Sequence, residues 1–339
     1  MSHSEFLDPP TRIALDAMPV RETSLEQINL ATVAEHLAQA KARDRYVGSD
    51  DPMEYLYTRR CVVQIGDTSY LTLTGLLCFG RRPQAIFPNA VVDLGHYHGQ
   101  EAIMPEFTHL EKDMSGTVFA QLTRIEEYLW KNTHHGMTLS ETSLARVEVH
   151  EYPRAVIREL SVNMIAHRDY ALYTSVARVQ LFRDRIEWIS PGNLPHGVTV
   201  KNLLTEQRPR NPNLMRVLYD AGYVEAFGQG LDTVVAVLRE AGMERPVFND
   251  TGASFIVTVY GDNYQTQRQD DGTAELSESQ RVIYQFIRRK GRVTPREIRD
   301  LLAERAERSV QRDIRVLLDT GKIEAVGGTR SLRYQLPEG

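Results

Sequence analysis

The chain has 339 residues, with 45 Asp and Glu against 40 Lys and Arg, a net charge of −5, and two cysteines. No apolar run approaches the roughly 20 residues that a bilayer-spanning helix needs, so no signal or membrane segment is expected. Cys61 and Cys78 sit in apolar contexts without ligand spacing, which argues against a disulfide scaffold or a zinc site. A cytoplasmic protein of two or three domains is the expectation.

Residues 1–23 contain Pro9-Pro10 and scattered polar residues and read as a poorly structured N-terminus. Residues 24–149 read as an N-terminal α/β region. Glu26 to Ala42 has a helical pattern, Tyr70 to Gly80 suggests a short helix, Ala90 to Tyr97 a strand, and Val118 to Asn132 an amphipathic helix. His96, His98, His134 and His135 lack acidic or cysteine partners at useful spacing, so they are not read as a metal centre.

Residues 150–260 carry the chemistry. In the helical stretch around residues 158–170, Glu159 and Asn163 stand four apart and leave the same face. A carboxylate and an amide on one turn can polarise a water and complete the oxygen shell of a hard cation. The same pair is also common on solvated helix faces. Ala177 to Arg183 and Arg185 to Ser190 alternate as a hairpin that runs into a Pro191-Gly192-Asn193 turn. Gly228-Gln229-Gly230 then opens a helix, where free backbone N–H groups can meet phosphate at the positive end of the dipole. Residues 252–260 read as a closing strand. His167-Arg168-Asp169 matches part of a protein-kinase catalytic loop, but no kinase glycine loop accompanies it and it reads as a continuation of the helix.

Glu159 to Tyr170, Ser190-Pro191-Gly192, Arg210-Asn211-Pro212 and Glu225-x-x-Gly228-x-Gly230, in that order, resemble the RecG C-terminal-like, divergent histidine-kinase-type (GHKL) ATPase subfamily. This subfamily shares its nucleotide fold with gyrase B, Hsp90, sensor histidine kinases and MutL. Residues around Thr72 to Pro83 also resemble the segment that precedes the fold there. The resemblance implies ATP and Mg2+ as cofactors. It gives Asn163 the metal, Glu159 the catalytic water, Ser190 and Gly192 the adenine, and Gly228 and Gly230 the phosphates. Two positions depart from the pattern. Ser190 stands where an Asp usually accepts the adenine amino group, and Gly252-Ala253 replaces the usual Gly-Thr. Many relatives carry a Schlafen-like AlbA domain upstream, whose signatures are not found here. No Gly-x-x-x-x-Gly-Lys-Ser/Thr loop occurs in the sequence, so helicase motor chemistry is not expected.

Residues 261–275 are polar and read as a linker. Residues 276–339 hold 14 Lys and Arg against 9 Asp and Glu, whereas the rest of the chain holds 26 against 36. Helical patterns follow a Ser277 cap, a Thr294-Pro295 start with Glu297 three residues on, and Ser309. Gly321 stops the last, and a Gly327-Gly328 hairpin ends the region. The order resembles the winged helix-turn-helix of DeoR-type bacterial regulators. By that likeness Arg308, Ser309, Gln311, Arg312 and Arg315 face double-stranded DNA, and Arg330 and Arg333 of the wing hold phosphates. A winged helix used only for protein contacts remains open.

The expected fold class is α+β: a GHKL-like α/β sandwich with an N-terminal α/β extension and a C-terminal winged helix-turn-helix. The expected function is a DNA-binding transcriptional regulator whose ATP-binding body serves sensing or dimerisation, as a homodimer. The alternative is a Mg-dependent ATPase in DNA repair or phage defence.

Overall fold

A computed structural model describes residues 14–102, 107–139, 146–206, 208–224, 230–261, 276–302, 305–328 and 332–337. Contacts divide the chain into two units, Met1–Asp262 and Asn263–Gly339. Ten α-helices and a mixed six-stranded sheet among the described residues make the chain α+β, consistent with a GHKL-like α/β body. Gly228, Arg330 and most of the 261–275 linker lie outside the described residues.

In unit 1, α1 (Leu30–Ala42) and α2 (Pro52–Thr58) precede the hairpin β1 (Val62–Ile65) and β2 (Thr68–Leu71) and the buried helix α3 (Leu73–Phe79). Next come β3 (Val92–Tyr97), β4 (Phe107–Met114), α4 (Val118–Asn132), and a separate hairpin of β5 (His135–Leu139) and β6 (Arg146–His150). The order continues with α5 (Arg154–Ala166), β7 (Ala177–Leu181), β8 (Arg185–Pro191), α6 (Pro212–Asp220), α7 (Gly230–Glu240), β9 (Val247–Asp250) and β10 (Ser254–Tyr260).

The large sheet runs β4-β3-β7-β8-β10-β9. Only β3 and β7 pair in parallel; every other neighbouring pair is antiparallel. The sheet therefore crosses residue 150, because β3 and β4 come from the region read as a separate extension. α5 packs between β8, α4 and α7. Its Val156, Ile157, Leu160 and Ile165 are buried, and Trp188 of β8 donates its indole N–H to Ser161 at 3.0 Å. This polar contact lets a large aromatic sit fully buried without an orphaned donor.

Two sequence readings need correction, and two elements were not anticipated. Residues 14–23 are not loose: Leu15–Ala17 is a short 3₁₀ turn, Asp16 is buried, and Pro19 bridges Thr72. The helix with Glu159 ends at Ala166, so His167 is its C-cap and Arg168-Asp169 lie beyond it. α6 and β9 were not anticipated. α6 begins with Pro212 and has no cap from its own neighbours.

Unit 2 contains α8 (Glu278–Lys290), β11 (Arg292–Val293), α9 (Pro295–Leu301), α10 (Glu307–Asp319), β12 (Glu324–Val326) and β13 (Arg333–Gln335). The strands form an antiparallel sheet in the order β11-β13-β12. Reciprocal capping boxes start α8 (Ser277 with Gln280) and α9 (Thr294 with Glu297). Together they satisfy backbone donors that would otherwise lack partners. Ile283, Ile287, Ile298, Val310 and Leu317 meet in a core of its own.

Candidate functional site

Glu159 and Asn163 lie one turn apart on α5, and the Asn163 amide nitrogen donates to the Glu159 carbonyl (2.9 Å) and to its Oε1 (3.2 Å). Both donor contacts point back along the helix, so the Asn163 amide oxygen remains the acceptor end. α7 starts against this pair. A Cβ added at Gly230 would lie 2.2 Å from Glu159 Oε1 and 3.0 Å from Asn163 Nδ2, so only glycine lets the helix start approach so closely.

Ser190 is buried near the end of β8 and donates its hydroxyl to Met164 O at 2.8 Å. With that proton committed, the oxygen is left to accept a hydrogen bond. Gly192 has φ +104, and a Cβ there would sit 2.7 Å from Asp169 Cβ. Glu159, Asn163, Ser190 and Gly230 all line one cavity, about 980 Å³ of empty space counted to its open mouth. Trp188, Met215, Phe255 and Val257 contribute apolar wall, and His167, Glu206, Arg208 and Asp232 add polar groups. Met164 lies five positions after Glu159 on α5, about 7.5 Å along the axis. The cavity thus has a carboxylate–amide end and a serine end. Burial, aided by Arg210, lowers the His167 pKa to about 4, so its imidazole is neutral near pH 7. The oxygen donors of Glu159 and Asn163 suit a hard cation such as Mg2+.

The remaining motif residues hold one another. Asp169 pairs with Arg210 at 2.9 Å, and Arg210 also donates to Asn193 O at 2.6 Å. Asp169 N donates to Pro191 O at 2.8 Å, directly beside the Gly192 turn. Asn211 Nδ2 donates to Ala166 O and Arg168 O, closing the carbonyl end of α5. Arg168 is buried and donates to the carbonyls of Val91, Asn89 and Ser175, which ties α5 to β3. Its role is structural, with no resemblance to kinase chemistry.

Sequence reasoning missed the supports of α6. Asp16 accepts from the backbone N–H groups of Asn213 (2.6 Å) and Leu214 (3.0 Å) and from Asn213 Nδ2 (2.9 Å). It caps the start of α6 from about 200 residues away, because the side chain of the N-cap residue Asn211 makes no capping bond. Buried Asp220 accepts from Arg59 Nε (2.6 Å), Arg59 Nη2 (2.9 Å) and Tyr55 OH (2.7 Å), and His36 Nε2 lies 2.7 Å from Tyr55 OH. Burial, partly offset by Asp220, lowers the His36 pKa to about 4. The only signal in the sequence was an Asn-Pro helix start whose Asn is used elsewhere.

In unit 2, Arg308, Gln311, Arg312 and Arg315 are exposed within one arc of α10, opposite the buried Val310, Asp313, Ile314 and Leu317. Ser309 is half-buried off that arc, and Arg333 is exposed on β13. Gln311 and Arg315 border a groove shared with Leu332 and Tyr334. Asp313 accepts from Ser279 Oγ at 2.6 Å and lies 3.7 Å from Arg305, which fixes α10 against the start of α8. In unit 1, His134 does have an acidic partner, Glu151 at 2.8 Å, but no group of three metal-ligating side chains occurs among the described residues.

Residues 175–259 match the family described as "Putative ATP-dependent DNA helicase recG C-terminal". The chain carries a RecG C-terminal-like ATPase-type domain. The matched stretch contains Ser190, Gly192, Gly228 and Gly230 and begins after Glu159 and Asn163. The crystal structure of the DIP2311 protein from Corynebacterium diphtheriae superposes with a TM-score of 0.60 over 96% of this chain at 16% identity, a likeness of fold. This chain spans 64% of that protein's length. No curated protein matches the sequence. No helix among the described residues is long and apolar enough to cross a membrane.

Proposed function

We propose that the chain is a DNA-binding transcriptional regulator whose unit 1 binds ATP with Mg2+ and whose unit 2 is a winged helix-turn-helix. The observation that carries the reading is the convergence of Glu159, Asn163 and Gly230 at one end of a cavity that has Ser190 at the other. In this reading Ser190 accepts from the adenine amino group, Gly192 approaches the base, and Gly228 and Gly230 lie along the phosphates. Asn163 supplies an oxygen to Mg2+, and Glu159 is the carboxylate able to take a proton from an attacking water. Mg2+ neutralises phosphate charge in a cavity whose own lining is acidic.

The exposed Arg308, Gln311, Arg312 and Arg315 of α10, with Ser309 beside them, meet base edges, and Arg330 and Arg333 meet phosphates. A homodimer presents two such helices, and nucleotide acts by favouring one body conformation over another.

The test is thermal unfolding with and without Mg2+ and ATP. Ligand at about a hundred times its dissociation constant stabilises by roughly 2.7 kcal/mol, and Asn163→Ala abolishes that gain. A folded wild-type protein with no stabilisation by ATP rejects the nucleotide reading. DNA binding is tested separately, by fluorescence anisotropy with duplex DNA at two salt concentrations. Salt-independent or undetectable binding rejects it.

A further inference from the structure

The helices α1 and α6 end alike. At α1, Arg45 N bonds Ala40 O and Asp44 N bonds Lys41 O, with Asp44 at φ 55; at α6, Tyr223 N bonds Leu218 O and Gly222 N bonds Tyr219 O, with Gly222 at φ +80. Both are Schellman turns, which satisfy some terminal carbonyls and leave others facing outward. The arginines flanking the first turn are spent on the carbonyls of the second. Arg43 donates to Ala221 O, and Arg45 Nη1 donates to Val224 O and, at 3.1 Å, to Tyr219 O. Arg158, next to Glu159 on α5, donates to Gly222 O and lies over the Tyr223 ring. Three cations thus gather at the negative end of the α6 dipole, where each is favoured. A Cβ at Gly222 would come within 2.7 Å of the Arg43 guanidinium, so the glycine is needed for closeness as well as for its positive φ.

Val224 is also part of the cavity wall. The bond from Arg158 to Gly222 puts this stretch near the Glu159 end of α5, away from Ser190. We propose that Arg43, Arg45 and Arg158 are positioning residues for the phosphate end of the cavity. They fix the backbone from Tyr219 to Val224 and so set the wall that faces the carboxylate–amide pair. The inference rests on the nucleotide reading and deepens it: affinity for the triphosphate, but not for the nucleoside, depends on an arginine clasp that touches neither.

Isothermal titration with adenosine and with Mg2+ plus ATP, on wild type, Arg45→Ala and Arg43→Ala, tests this. Each variant is expected to lose about tenfold or more in affinity for ATP with Mg2+, as removal of a charged hydrogen bond would give, while adenosine affinity stays within about twofold. An equal loss for both ligands would mean general loosening and overturn the proposal, as would unchanged ATP affinity. Arg43 is exposed at a helix end, so its variant keeps the test available if Arg45→Ala does not fold. A wild type that binds adenosine but gains nothing from the phosphates refutes this inference while leaving the nucleoside site standing. A wild type that binds neither ligand removes the nucleotide reading itself.

Discussion

Replacing Asp16 by alanine takes away the single side chain that caps α6. Two backbone amides, one side-chain amide and the buried Thr74 hydroxyl lose their acceptor, at 2.6, 3.0, 2.9 and 3.4 Å, in a place where Asp16 is only 1% exposed. An ordinary N-cap is worth about 1 kcal/mol, and each hydrogen bond to a charged group about 1.5–3 kcal/mol. The four bonds share two oxygens, the Thr74 bond is long, and water entering the vacancy recovers part, so the expected loss is about 3–4 kcal/mol. For a folded body of this size that lowers the melting temperature by roughly 6–16 °C. Asp16→Asn keeps one acceptor oxygen and loses about half as much. Urea unfolding followed by circular dichroism gives both numbers. A loss under about 1 kcal/mol for Asp16→Ala, the range of ordinary surface changes, would refute the reasoning that α6 depends on a remote cap.

Three more outcomes are expected. The folded pKa of His36 lies near 4, below its ordinary 6.5, so the unfolded chain binds the proton more tightly. Stability is therefore intact above pH 6.5 and declines as the pH falls toward 4, by a contribution on the order of 3 kcal/mol that His36→Gln removes from the pH dependence of urea unfolding. Gly230→Ala displaces the Glu159 carboxylate, a flexible group, so folding stability changes by less than about 1 kcal/mol while ATP affinity falls by about tenfold or more, as read by calorimetry. Arg315→Ala is expected to weaken duplex binding. If the guanidinium meets a phosphate, the slope of log affinity against log salt drops by about 0.9, and if it reads a base the loss is about 1–3 kcal/mol and confined to certain sequences. An Arg315→Ala protein with unaltered anisotropy curves would remove α10 as the contacting helix.

What could be read from the sequence was what short-range order encodes. The spacing of Glu159 and Asn163, the alternation through Trp188, and the caps at Ser277 and Thr294 each depend on neighbours within a few residues. The structure keeps them all. Ser190 and Gly230, which line the cavity, and Gly192, which does not, were singled out because glycines and a polar residue after a strand stand out locally, reinforced by a family resemblance. Asp16, Arg45 and Asp220 were not found, since each looks like an ordinary solvated charge until its partner is known. Arg168 was misjudged for the same reason: three backbone carbonyls, two of them nearly 80 residues away and one seven residues on, surround it, and no periodicity announces a buried guanidinium. The boundary at residue 150 also failed to anticipate the sheet. β3 joins β7 by a parallel pairing whose two strands are separated in sequence by two helices and three strands.

The supports of α6 also bear on how the chain acquires its shape during synthesis. Asp16 waits for residues 197 and 198 positions later, Arg43 and Arg45 for partners 174 to 179 later, and Tyr55 and Arg59 for one 161 to 165 later. At about 5–20 residues per second on the ribosome, that is roughly 10–40 s during which the first segment has charges and no counterpart. Such distant pairings are slow to close even once both halves exist. The N-terminal segment therefore cannot make these bonds until α6 has been synthesised, and β10, which pairs along β8 in the large sheet, is made later still.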